Sequence, residues 1–263
     1  MKSTRSKRLV IWLVGITILL AVWEAVVRGS NAMTAWPYPS GIFAAGVALL
    51  ADGTIFAALG GSLQRVIIGF AFGALVGIPI GIAMGVMEPF NRALRPVTES
   101  LRAIAPIAWI PLAILWLGVK GNAALFVVAY SAVFPFIVNA ADAARSVDRN
   151  HLRAARSLGA GRWLILRSVV FPSALPQLFT AARIAMAIAW SSIIAAELAV
   201  GIKIAGGGRS VAGMGQLMVE TLYVKRDVNA LVFGMLVIGA VSFLIDAGQR
   251  RAREKLLPWS QKS

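Results

Sequence analysis

Residues 145–176 read RSVDRNHLRAARSLGAGRWLILRSVVFPSALP. The stretch lies between two strongly apolar segments and is long, basic and patterned. Asp148 is placed to cap a short helix beginning near Arg149, its carboxylate accepting from free backbone N–H groups. Leu152, Ala155 and Leu158 recur at helical spacing as a narrow apolar stripe. Arg145, Arg149, Arg153 and Arg156 recur at steps of four, four and three, a basic stripe on another side. Gly159 stands where a helix would end on a left-handed residue, a conformation that costs glycine nothing. A second apolar run, 163–171, carries Arg162 and Arg167 and is expected to stop at Pro172, with Pro176 close behind. The spacing predicts a helix, a glycine break and a second helix at a membrane surface, an element that a grooved protein partner can grip. The plainer reading is a basic loop lying under anionic headgroups.

The rest of the chain supplies the membrane. Of its 263 residues, 59% are hydrophobic and the mean hydropathy is +0.78, whereas a soluble domain carries about 45–50% apolar residues. Six segments are apolar over the ~17–25 residues a span needs: 9–27, 66–87, 103–119, 123–141, 178–200 and 228–245. The chain thus reads as an all-α integral membrane protein, a single transmembrane domain over 1–263. The first segment also has signal-peptide features, with Lys2, Arg5, Lys7 and Arg8 before it and Ser30-Asn31-Ala32 after it. Its apolar run exceeds the usual ~7–15 residues, which favours a retained anchor. Residues 41–50 are too few to span and are expected as a surface helix outside.

Charge sets the orientation. With the N-terminus inside, the inner set holds Arg92, Arg95, Arg102, the arginines of 145–167, and Arg250, Arg251, Arg253 and Lys255. The outer set is Arg28, Arg65, Lys120, Lys203, Arg209, Lys225 and Arg226. Basic residues gather at the cytoplasmic ends of spans, so both termini and the patterned loop are expected in the cytoplasm. The same rule accounts for the formal charge of +15 without nucleic acid. There is no cysteine, and the single histidine, His151, lies in the loop. No metal site and no thiol chemistry are expected.

Gly69, Gly73, Gly77, Gly81 and Gly85 follow one another at every fourth residue of the second span. That period holds small residues on one stripe, where another helix can approach closely. Pro79 in the run is expected to bend the helix. Pro106 and Pro111 in the third span free carbonyls, which suits a helix lining a cavity or a kink buried in protein. Glu197 follows Trp190, Ser191 and Ser192 in the fifth span. An ionisable group there is a functional candidate, or it sits near the outer interface ahead of Gly201 and Lys203. Arg183, near the inner end of that helix, is expected to snorkel. Gly206-Gly207-Gly208-Arg209-Ser210 lacks the lysine ending and the preceding strand of a phosphate loop. The surrounding 201–215 reads as an outer loop or partly re-entrant gate. No Walker motif occurs, so any ATPase is another chain.

The loop resembles the EAA loop of ABC-importer permeases, whose pattern is Glu-Ala-Ala, three residues, Gly, nine residues, Ile, any residue, Leu-Pro. Here Arg153 stands at the Glu position, so no carboxylate contact is carried over. Ala154, Ala155, Gly159 and Pro172 match, with Val169 for Ile and Phe171 for Leu. The resemblance runs from about Trp36 to Leu198: Pro37-Tyr38-Pro39-Ser40, Asp52-Gly53, Ser62-Leu63-Gln64-Arg65-Val66, Gly69-Phe70, Pro96, Leu101-Arg102, Pro106-Ile107-Ala108-Trp109-Ile110-Pro111-Leu112, Trp116-Leu117-Gly118, 154–160 and Ala195-Ala196-Glu197. These resemble the nitrate/sulfonate/taurine group.

The resemblance implies a type I importer permease in a bacterial inner membrane. Its partners would be a second permease copy, a cytoplasmic ATPase dimer that binds ATP and Mg, and an external substrate-binding protein. It implies that Arg149, Leu152, Arg153, Ala154, Ala155, Arg156, Leu158, Gly159 and Pro172 couple to the ATPase. Trp190, Ser191, Ser192, Glu197 and Arg209 fall to the solute path or its gate. The solute expected is a small anion: nitrate, a sulfonate such as taurine, or an organic carboxylate. An ion-coupled transporter or channel is the other class. It favours carboxylate or histidine relays and inverted repeats, where this chain offers Glu197 alone. A membrane hydrolase would need a nucleophile paired with a base, and no span holds histidine or cysteine.

Overall fold

The computed structural model describes residues 2–30, 35–118, 121–200 and 213–257, with side chains from Ile11 onward in the first helix. Every element in these residues is helical. In chain order they are α1 (Lys2–Gly29), α2 (Pro39–Ala51), α3 (Thr54–Val86), α4 (Glu88–Ala103), a 3₁₀ turn (Pro106–Trp109), α5 (Ile110–Leu117), α6 (Asn122–Arg145), α7 (Arg149–Ser157) and α8 (Arg162–Ile165). A π turn (Leu166–Val170), α9 (Phe171–Val200), α10 (Met214–Val219), a second π turn (Glu220–Val224) and α11 (Val228–Leu256) complete the order.

Among the described residues five helical segments are long and apolar enough to cross a membrane, and the bent pair α4 with Pro106–Leu117 makes a sixth where the two halves count as one broken span. The third expected span, 103–119, is therefore not one straight helix. Pro106 excludes the α conformation from the residue before it. Ala105 accordingly has ψ 135° and Ile104 ψ 118°, and the chain turns through 86°. Pro79, by contrast, sits inside an unbroken α3.

Two further boundaries moved. The expected second span starts at Val66, yet α3 begins at Thr54. Hydropathy stops at the polar pair Ser62 and Arg65; the helix continues because both have a partner inside the protein. The run 163–171 does not stop at Pro172. Helix continues from Arg162 to Val200, 39 residues. The π turn just before Pro172 is the reason: its wider winding accommodates a residue with no N–H to give and a ring that crowds the preceding turn.

The core is built on small residues. A β-carbon at Gly69, Gly73 or Gly77 would lie 2.6, 2.6 and 2.7 Å from Val128, Ala132 and Phe136, and Gly81 and Gly85 meet Ala140, Ala141 and Ala144. The period-four stripe is thus the seam on which α3 presses against α6. On the far side of α6, Ala181, Ala185, Ala189 and Ala196 of α9 are fully buried with Val128 and Ala132. Backbones packed this closely gain dispersion contact along their length, the main attraction between helices in lipid. α2 lies against the start of α11, where Asn229 Oδ1 accepts from Tyr38 N at 3.0 Å and Gly46 admits Phe233. The expected surface helix 41–50 is this element.

Candidate functional site

The loop folds as a capped, exposed helix. Asp148 accepts from Asn150 N at 2.8 Å, and α7 starts at the next residue. At the other end Gly159 has φ +78°. Its N–H donates to Arg156 O, and that of Ala160 to Ala155 O, both at 3.0 Å. This paired closure leaves few carbonyls open and requires a left-handed residue. Arg145 does not join the basic stripe. It closes α6, pairs with Asp142 at 3.7 Å and donates to Asn91, because the chain turns between Ser146 and Asp148. Arg149, Arg153 and Arg156 remain on α7, exposed together with Ala154.

The apolar stripe also divides. Leu152 and Ala155 are half-buried, and Leu152 packs on a cluster of Ile82, Ala144, Val170 and Leu178. Leu158 is 87% exposed, since the helix ends one residue before it and its register is lost. No residue of α7 is buried. α7 therefore rests on this cluster through Leu152 while its arginines face outward, as do Leu158 just after it and the 73% exposed Trp163 of α8. Pro172 is exposed and is the second residue of α9, just after the π turn.

Glu197 is the second centre. It is 1% exposed, the most buried charged group among the described residues. Ser62 Oγ lies 2.8 Å from Oε2 and 3.0 Å from Oε1, Arg65 Nη1 donates to Oε1 at 2.8 Å, and Gly215 N donates to Oε2 at 3.0 Å. Ser62 Oγ also accepts from Met214 N at 2.9 Å. A β-carbon at Gly213 would collide with the carboxylate, and one at Gly215 would lie 2.7 Å from Glu197 Cβ. The carboxylate thus ties α9 to α3 and to the start of α10, with each oxygen satisfied. The burial of Glu197 is burial inside the protein, three residues before the described end of α9. Ser62 and Arg65 stand out in the sequence only through the resemblance and the charge count, and Gly213 and Gly215 only as part of 201–215; none reads there as a partner of Glu197. The available signal was that a buried carboxylate needs a cation, and Arg65 stands at the outer end of the neighbouring span.

Trp190 is buried and Ser192 is 8% exposed. Ser191 is exposed and donates to Ile188 O at 2.9 Å. Arg209 lies outside the described residues. Arg183 is exposed and holds Asp246 of α11 at 2.5 and 3.2 Å. Thr180, Arg183, Ala187 and Ser191 form an exposed small and polar strip on α9. Elsewhere the exposed faces carry large apolar side chains, such as Ile67, Phe72 and Leu75 on α3 and Leu236, Phe243 and Leu244 on α11. Lipid suits those faces; the α9 strip suits protein or water.

Two clefts flank the strip. One of about 180 Å³ is lined by Arg183, Trp190, Ser191, Ser242 and Asp246. The other, about 350 Å³, lies between the α4–α5 bend, α6 and α9. No group of three metal-binding side chains occurs among the described residues.

Comparison with known proteins assigns the chain. Residues 73–256 match the family of binding-protein-dependent transport system inner membrane components. The chain is 34% identical over 209 residues to a taurine transport system permease protein of Escherichia coli strain K12, covering 79% of this chain and 72% of that protein. It is 35% identical over 185 residues to a bicarbonate transport system permease protein of Synechococcus elongatus, covering 70% and 63%. An inward-facing structure of the MetNI methionine ABC transporter superposes with a TM-score of 0.64 at 20% identity, over 78% of this chain and 95% of that one; this likeness shows the importer-permease fold. The chain belongs to the binding-protein-dependent transport system inner membrane component family, and is a membrane-spanning permease subunit of an ABC importer.

Proposed function

We propose that two copies of this permease form the path of an importer for a small anion. A cytoplasmic ATPase dimer binding ATP and Mg drives it, and an external binding protein supplies the solute. Both termini and α7 face the cytoplasm, in keeping with the distribution of arginines. The exposed strip of α9 is half of the path, which a second copy completes. Family members named for taurine and bicarbonate, both carrying an anionic group, support the anion class.

The observation that carries the reading is α7: capped at both ends, buried at no residue and attached to the core of three helices through Leu152. In this reading Arg149, Arg153, Arg156 and Leu158 seat in the ATPase. Closure of the ATPase dimer then pulls α7, and Leu152 passes the movement to α3, α6 and α9. A packed core that is bistable rather than soft turns such a displacement into outward opening. Glu197 braces the outer gate by fixing α10 to α3 and α9.

Gly159→Val tests the coupling role. A β-branched side chain at φ +78° is strained by about 1–3 kcal/mol and would unwind the end of α7. The variant should insert normally while ATPase co-purification and binding-protein-stimulated hydrolysis both fall. Unchanged coupling would refute the role.

A further inference from the structure

The 350 Å³ cleft has a neighbour of about 240 Å³ between α4 and the inner end of α6, lined by Asn91, Arg95, Thr98, Glu99, Asp142 and Arg145 among others. Arg102 and Val138 line both. The two clefts thus follow one groove along α6, and Arg102 stands where they meet, at the last turn of α4 before the 86° bend.

The other charges of the groove are paired. Arg95 holds Glu99 at 2.8 Å. Arg145 lies 3.7 Å from Asp142 and also donates to Asn91. Arg102 has no hydrogen bond or ion pair among the described residues; its nearest influence is the field it exerts on Glu99. Balancing three arginines against two carboxylates leaves one positive charge in the groove, and it is on Arg102. The polar groups of the larger cleft are otherwise engaged with backbone: Tyr130 Oη with Leu101 O at 2.5 Å, Ser131 Oγ with Val128 O and Asn139 Nδ2 with Pro135 O. A guanidinium presents two parallel N–H groups that match the oxygens of a carboxylate, sulfonate or nitrate. The larger cleft's other walls are mostly apolar, including Ile104, Phe134, Ile184 and Ile188, and Arg102 is exposed beside them, open to a solute.

We infer that Arg102 is the anion-selecting contact of the solute path, the ligand an oxyanion keeps as it moves from the larger cleft to the smaller one. The assignment rests on the anion reading above. It names a residue that touches the solute, whereas Glu197, being saturated by Ser62, Arg65 and Gly215, does not.

The absence of native cysteine allows a direct test. Arg102→Cys is assembled with the ATPase and binding protein, and uptake of taurine, nitrate and bicarbonate is measured before and after thiol modification, with the unsubstituted complex treated in parallel. The variant should take up the transported anion at least ten-fold more slowly at subsaturating solute, with binding-protein-stimulated ATP hydrolysis within two-fold of the parent. Attachment of a cationic aminoethylthio group should restore most of the uptake; an anionic sulfonatoethylthio group should not. Arg102→Lys should retain uptake with a raised KM.

Parental uptake in the unmodified cysteine variant, or equal rescue by both reagents, would overturn the role of Arg102 and leave the anion reading standing. A parent complex that imports none of the three anions, with a cationic solute recovered from its binding protein, would overturn both.

Discussion

At the scale of single residues, Glu197 is a buried charge with a full set of partners. Glu197 and Arg65 are 2.8 Å apart, with side-chain exposures of 1% and 18%. Removing one member of a buried pair commonly costs about 3–5 kcal/mol, because the other is left uncompensated. Glu197→Gln retains the shape but not the charge. Uptake should fall while preference among solutes stays unchanged, as measured by competition between taurine, nitrate and bicarbonate. A shift in preference would place Glu197 in contact with the solute and contradict the brace. Gly213→Ala is a second probe, since its β-carbon has no room beside the carboxylate. It should lower uptake in the same way, without affecting ATPase co-purification.

At the scale of elements, the glycine stripe and the capped loop were legible in the sequence because both are local periodic signals. Five glycines at every fourth position can form only one stripe on a helix, and the structure puts that stripe on α6. The Asp148 cap and the left-handed Gly159 follow from backbone chemistry within a few residues. What sequence missed was set by distant partners. α3 begins ahead of Val66 because Ser62 and Arg65 meet a carboxylate 132–135 positions away. Arg183 is held by Asp246, 63 positions on. Pro172 failed as a stop signal because the π turn before it absorbs the lost hydrogen bond. The bend at Ile104–Ala105 was implicit in Pro106, yet a continuous hydropathy window covered it.

The seam gives its own prediction. Gly77→Val would force a side chain against Phe136 Cβ and Val133 O, both 2.7 Å from an added β-carbon. Overpacking of this kind costs about 1–3 kcal/mol. The thermal midpoint of the detergent-solubilised permease should drop, and an unchanged midpoint would contradict the close α3–α6 approach.

For the whole molecule, the arrangement is a bundle with two outward-facing interests. α7 hangs from one end of the core by Leu152, and Glu197 fastens α10 at the other end of α9. The long α8–α9 segment, Arg162–Val200, connects them. On the proposed function, this helix is the mechanical route from ATPase to path. The exposed α9 strip, bordered by clefts and unlike the lipid-suited faces of α3 and α11, is the face that the proposed homodimer would cover with a second copy. Affinity purification through a tag on one permease should recover an untagged copy of the same chain, crosslinked through cysteines placed at Ala187. Recovery of a second, different permease instead would contradict the homodimer.

The central claim is that movement of solute through this chain is driven by ATP hydrolysis in a partner and fed from outside by a binding protein. Reconstituted liposomes holding the permease and its ATPase decide it most directly, with ATP enclosed, the loaded binding protein outside and no ion gradient. The account predicts uptake that requires all three components and stops when ATP is replaced by a non-hydrolysable analogue. Uptake by the permease alone, driven by a proton or sodium gradient without ATP or binding protein, would contradict it.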